Sequence, residues 1–142
     1  MTQSLPPKSL VLYADDDHED IELVSEAFRH YSQNVELVTF SDGVEMLNYV
    51  RTIDPLQPAP CLFIIDINMP GLNGKEVLKE IREVEEFQEV PVVLFSTSNL
   101  PSEAAFARSF DAGFITKPLN REQIHHIFDD FIEHCSKKEK RQ

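Results

Sequence analysis

Four places along the chain put reactive side chains at the end of an apolar run: Asp15-Asp16-Asp17, Asp66, Ser96-Thr97 and Lys117. Carboxylates, a hydroxyl and an ammonium are the groups phosphoryl transfer uses, as a nucleophile and as partners for charge on the equatorial oxygens. Two carboxylates about 4 Å apart repel by roughly 4 kcal/mol at an effective dielectric of 20, so three cannot share a crevice ionised without help. A hard divalent cation supplies that help. Mg²⁺ takes oxygen ligands, keeps several waters and binds through one or two carboxylates plus a phosphate, which suits Asp15, Asp16 and Asp66. Zinc is a poor fit, because His18 is the only nitrogen or sulfur ligand in the pattern. Asp66 is the natural nucleophile, since Ile67-Asn68-Met69-Pro70-Gly71 behind it reads as a sharp turn that leaves its carboxylate exposed.

Elements must bring these four places together. The runs Ser9 to Ala14, Val35 to Phe40, Cys61 to Ile65, Val90 to Phe95 and Gly113 to Thr116 read as strands. Those before Asp66 and Ser96 are apolar without alternation, which suits strands buried on both faces. Between them, Ile21, Val24 and Phe28, then Val77, Leu78 and Ile81, then Ile124, Ile127, Phe128 and Phe131 recur at helical spacing. One helix is expected to begin after Gly74, and the last after Asn120, with Gln123 completing a near capping box. Strand and helix alternate five times, which predicts an α/β fold with a five-stranded parallel sheet, doubly wound, with helices on both faces. In such a sheet the C-terminal strand ends share one crevice.

The 142 residues suit one domain with a core that needs no staples. Its expected organisation is an N-terminal arm over 1–8, one domain over 9–136 and a charged tail over 137–142. Arg51 to Pro60, with three prolines, reads as a surface loop. Cys61 and Cys135 lack motif spacing and are expected to be reduced, structural thiols. The net charge of −12, from 25 acidic and 13 basic residues, repels phosphate backbones and argues against direct nucleic-acid binding. No run approaches membrane-spanning length and no signal sequence is recognised, so the expected place is the cytoplasm.

The chain resembles receiver domains of two-component response regulators over nearly its whole length. The likeness rests on Ala14-Asp15-Asp16-Asp17, on Asp66 through Gly74 (DINMPGLNG), on Pro91 to Ser96 and on Ile115-Thr116-Lys117-Pro118, in order and spacing as well as identity. Ser41 to Leu47 also looks like the start of the family's second helix. The resemblance implies a flavodoxin-like (βα)5 sandwich in which Asp66 accepts a phosphoryl group from a sensor histidine kinase or a histidine phosphotransfer protein. Asp16 and Asp66 would bind Mg²⁺ directly, with Asp15 helping through water or directly and the Asn68 backbone carbonyl as a further ligand. Lys117 would pair with the phosphoryl oxygens, Ser96 would swing toward them, and the bond to Pro118 would be cis. Phe114 stands at the travelling aromatic position, where tyrosine is common, and Ser96 where threonine is frequent. The implied output is a switched protein-binding surface over Pro101 to Cys135, for a downstream partner the residues do not name. A stand-alone switch with no output domain is the expected form, and a transient homodimer through that surface is compatible with it.

Plainer readings exist for each residue. Asp15 to Asp17 could be acids at a helix N-terminus, Asp66 a turn former, Ser96 to Ser98 capping hydroxyls and Lys117 a solvated ammonium. Taken jointly they need four coincidences. Phe106 and Phe110 are expected in the core rather than at a partner, His18 at an exposed helix start, and His125, His126 and His134 on the last helix without catalytic work. Two other functions fit parts of the pattern. A Mg²⁺-dependent phosphatase of the haloacid-dehalogenase type shares the strand-end Asp, but generally needs an acid two residues later, where this chain has Asn68. A phosphorylation-independent interaction module is opposed by the intact Asp15, Asp16, Asp66, Ser96 and Lys117 set.

Overall fold

The computed structural model describes residues 9–31, 35–53 and 59–140, with only the backbone of 132–140. The expected N-terminal arm and the centre of the proline-rich loop lie outside the described residues. Five strands, β1 (Ser9–Ala14), β2 (Val35–Phe40), β3 (Pro60–Asp66), β4 (Val92–Ser96) and β5 (Gly113–Thr116), form one parallel sheet in the order β2-β1-β3-β4-β5. Five helices connect or follow them: α1 (His18–Phe28), α2 (Gly43–Arg51), α3 (Gly74–Glu83), α4 (Pro101–Ser109) and α5 (Arg121–Lys140). This strand order is the flavodoxin-like doubly wound arrangement.

Alternation along the strands sorts side chains to two cores. Leu10, Leu12, Ala14, Phe63, Ile65, Val92 and Leu94 pack with Met46 of α2 and with Val77, Leu78 and Ile81 of α3. Val11, Tyr13, Ile64, Val93 and Phe95 face the other way, onto Val24 and Phe28 of α1 and Ile124, Ile127 and Phe128 of α5. Each fully buried large side chain contributes about 1.5–3 kcal/mol, so β1 and β3, buried at every position, anchor the sheet. Helix α4 is different, because Ala107 is its only fully buried residue. Phe106 and Phe110 are half-buried against the core with their rings 4.9 Å apart.

Local chemistry sets the helix starts. Asp17, Asp42 and Asn73 cap α1, α2 and α3 through their side-chain oxygens. Before α5, Asn120 and Gln123 exchange side-chain to backbone bonds of 2.9 and 3.2 Å, completing the expected capping box.

Three expectations change. Strand β4 begins at Val92 rather than Val90, since Pro91 has no N–H for the ladder although its carbonyl accepts from Phe63. The backbone of 137–140 continues α5 instead of trailing from it. Cys61 is disulfide-bonded, not a reduced thiol, and no described cysteine is free. It packs in the same core cluster as Ile127 and Phe128 of α5, so the fold brings β3 and α5 together across a separation that sequence spacing cannot read. Among the described residues no helix is long and apolar enough to cross a membrane.

Candidate functional site

The four chemical places do converge at the C-terminal edge of the sheet. Asp15 follows β1, Asp66 ends β3, Ser96 ends β4 and Lys117 follows β5. Backbone bonds carry the ladder just past the strand ends. Asp15 N–H donates to the Phe40 carbonyl at 3.0 Å, Ile67 N–H to Phe95 at 2.7 Å and Lys117 N–H to Ser96 at 2.7 Å. The Lys117–Pro118 peptide bond is cis.

Asp15 and Asp66 are buried and Asp16 is exposed, with one carboxylate oxygen from each lying within 4.8 Å of the others. Asp15 is fully occupied by donors. Its Oδ1 accepts from Asp17 N–H at 3.0 Å and from Lys117 Nζ at 3.1 Å, and its Oδ2 from the Tyr13 hydroxyl at 2.6 Å and from Lys117 Nζ at 3.1 Å. Asp66 Oδ1 accepts from Asn68 N–H at 3.1 Å, while its Oδ2 lies 3.5 Å from Lys117 Nζ. The lysine also meets Asp20 of α1 at 2.7 Å.

Electrostatics follow from this crowding. Burial first, and then the neighbouring Asp15 charge, push the Asp66 carboxyl up to about 7 against the opposing pull of Lys117. Burial alone would lower the Lys117 ammonium, but Asp20, Asp15 and Asp66 together hold it above the usual lysine range. Burial and the facing Asp15 raise the Tyr13 phenol, which therefore stays protonated. A cluster whose central acid resists ionising beside a second carboxylate is short of positive charge. Three hard oxygen donors, one reachable from solvent, fit a small divalent cation.

The hydroxyl side of the site is held by α4 and by the loop after β3. Ser96 Oγ donates to the Glu103 carboxylate in the first turn of α4 and accepts from Ser98 N–H at 3.0 Å. Asn68 Oδ1 accepts from Thr97 N–H at 2.8 Å and Thr97 Oγ1 at 3.0 Å, tying the two loops together. Its side chain thus serves as an acceptor, and an amide offers no general acid. Behind Asp66, Gly71 takes φ +72°, which suits glycine, and Gly74 sits so close that a Cβ would lie 2.4 Å from the Asp66 carbonyl oxygen.

Asp17, read among the acids, turns away as the cap of α1, and His18 opens that helix in solvent. Phe114 lies half-buried on β5, beside Leu94 in the sheet register. His125 meets the Tyr31 hydroxyl at 3.3 Å. Three residues of the site escaped the sequence. Tyr13 read as one more apolar strand position, although its i, i+2 relation to Asp15 was a usable signal. Asp20 and Glu103 stand in no motif of the sequence, and only the placement of α1 and α4 gives them their partners.

Comparison with known proteins agrees with this geometry. A family model for the response regulator receiver domain matches residues 11–129, and the chain belongs to that family. It is 31% identical over 125 residues to response regulator Rcp1 of Synechocystis sp. (strain PCC 6803), covering 86% of this chain and 84% of that protein. It is 33% identical over 122 residues to two-component response regulator ARR17 of Arabidopsis thaliana, covering 80% and 78%. Among solved structures, the phosphorylated cyanobacterial phytochrome response regulator RcpA aligns with a TM-score of 0.79 at 28% identity, over 89% of this chain and 96% of that one. The Mn²⁺-bound form of Rcp1 aligns with a TM-score of 0.78 at 24% identity, over 88% and 95%, a likeness of fold.

Proposed function

We propose that this receiver domain accepts a phosphoryl group on Asp66 from a phosphohistidine of a sensor histidine kinase or a histidine phosphotransfer protein, and that the modification changes a protein-binding surface around α4, β5 and α5. The observation that carries the reading is the meeting of buried Asp66 with Lys117 at 3.5 Å inside a cluster of three carboxylates. An Asp66 carboxylate oxygen attacks phosphorus, the P–N bond breaks, and its electron pair leaves with the imidazole. Lys117 balances charge on the phosphoryl oxygens, and Ser96 supplies a hydroxyl once it turns from Glu103.

Asp16, Asp66 and the Asn68 backbone carbonyl are the groups that would hold Mg²⁺ directly, with Asp15 assisting. The ion supplies charge neutralisation at the transferring phosphoryl group. Protein residues do the remainder. Asn68 N–H orients the nucleophile, and Asp15 and Asp20 keep the Lys117 ammonium charged and near it. We place this activity in the cytoplasm, where a kinase partner of this kind presents its phosphohistidine, and assign it no turnover beyond the chain's own phosphorylation and dephosphorylation.

The test is intact-protein mass after incubation with acetyl phosphate and Mg²⁺, for wild type and Asp66→Asn side by side. One phosphoryl adduct on wild type alone, absent when EDTA is present during labelling, is the expected result. No adduct on wild type, or one that Asp66→Asn retains, overturns the assignment.

A further inference from the structure

Asp15 carries more hydrogen bonds than a cation ligand can easily spare. A carboxylate offers about four lone-pair directions, and four are taken, by Asp17 N–H, by Tyr13 and by Lys117 on each oxygen. The donors differ in how readily they can leave. Lys117 is pulled by Asp20 and Asp66 as well and has a flexible stem. Asp17 N–H is fixed at the start of α1 but is a neutral amide. Tyr13 is a side chain that the core holds in place. It has no exposure, sits on fully buried β1 and packs edge-on against Phe95 at 5.7 Å and 73°. At 2.6 Å its bond to Asp15 is in the range of a charge-assisted O–H···O⁻ contact, about twice as strong as a neutral one.

We propose that Tyr13 is a positioning residue of the cation site, whose hydroxyl holds Asp15 Oδ2 out of the inner coordination shell and so weakens divalent-cation binding. The proposal rests on the cation site described under the proposed function. The phenol ring is caged between the sheet and the α1 and α5 face, so the hydroxyl cannot follow if Asp15 rotates toward an ion. Direct coordination through Oδ2 therefore means giving up the shortest of its bonds. The hydroxyl also draws charge from a carboxylate whose field attracts the cation. Removing it leaves a buried, under-satisfied oxygen in the cation-free protein, and an ion restores a partner to that oxygen.

The experiment is calorimetric titration of Mg²⁺ into full-chain wild type and Tyr13→Phe, with thermal melts in EDTA and in saturating Mg²⁺. Tyr13→Phe keeps the ring and is expected to bind Mg²⁺ roughly tenfold more tightly. Its melting temperature should fall in EDTA and recover most of the difference in Mg²⁺. Equal or weaker binding by Tyr13→Phe, or an equal loss of stability in both media, overturns the proposal and leaves the cation site standing. No heat of binding with wild type overturns the cation site itself, and the proposal with it. A measurement on unmodified protein guards against a variant that folds poorly. The Tyr13 hydroxyl proton, followed by NMR, should keep its hydrogen-bonded shift when Mg²⁺ is added, and its disappearance would show Asp15 leaving Tyr13 for the ion.

Discussion

Lys117 Nζ lies closer to Asp20 Oδ2, at 2.7 Å, than to Asp66 Oδ2, at 3.5 Å. The ammonium that would meet the phosphoryl oxygens in the proposed reaction is thus shared with an acid on α1. Asp20 keeps the lysine charged in a buried place, and it also competes for it.

Asp20→Asn should therefore speed phosphorylation by acetyl phosphate, by about fivefold if the pair is worth about 1 kcal/mol. A time course of intact mass at saturating Mg²⁺ measures it. A slower reaction would mean that holding the lysine in place matters more than releasing it.

Glu103→Ala frees Ser96 from α4, at a cost of about 1 kcal/mol in global stability. The backbone resonances of Thr97 through Ser109 in the unphosphorylated variant should move toward their positions in phosphorylated wild type. Ser96→Ala should take up phosphate on Asp66 and leave those resonances near their unphosphorylated positions. Unmoved resonances in Glu103→Ala would show that α4 is held by something else.

Stability without a cation should depend on pH through Asp66. Its carboxyl rises from an ordinary value of 3.8 to about 7 on folding, so the folded state binds the proton more tightly than the unfolded chain. That contribution is fully present below 3.8 and is lost as pH rises through about 7. Melting in EDTA should accordingly occur at lower temperature at pH 8 than at pH 5. Asp66→Asn should flatten that dependence and raise the pH 8 value. A fall of equal size in the variant would assign the effect to other groups.

Gly74→Ala would place a methyl group 2.4 Å from the Asp66 carbonyl oxygen and 2.7 Å from Ile67 Cα. Both are backbone atoms that cannot step aside alone, so a loss of about 1–3 kcal/mol is expected, read from denaturant unfolding. Whatever protein folds should also be phosphorylated more slowly, because the shift moves the nucleophile itself. Wild-type stability and rate would contradict the close packing.

The strands were legible because their signals are short and local. Cys61 to Ile65, apolar without alternation, suits a buried strand, and that reading puts Asp66 at the sheet's edge. Asp15, Ser96 and Lys117 followed from the same rule, since parallel strands all deliver their last residues to one side. The partners of those residues were not legible. Tyr13 acts through the tip of a side chain whose body is ordinary core, while Asp20 and Glu103 act across gaps whose width depends on how α1 and α4 lie on the sheet. Contacts between elements need the packing to be known, whereas the ends of elements need only the pattern.

The single buried residue of α4 would set the cost of the proposed output. Shifting a two-state equilibrium from 1:99 to 99:1 takes about 5.5 kcal/mol of differential free energy, which is within reach of a few charge-assisted hydrogen bonds to one phosphoryl group. The same shift imposed on α3 would uncover Val77, Leu78 and Ile81 at about 1.5–3 kcal/mol each, a cost comparable to that free energy. With Ala107 as its one deep anchor, α4 can be re-seated for far less. The domain therefore has an unequal lever, with a stiff strand under Asp66 and a lightly moored helix at the far end, so that the proposed phosphorylation, too small to disturb the sheet, would be large enough to move α4.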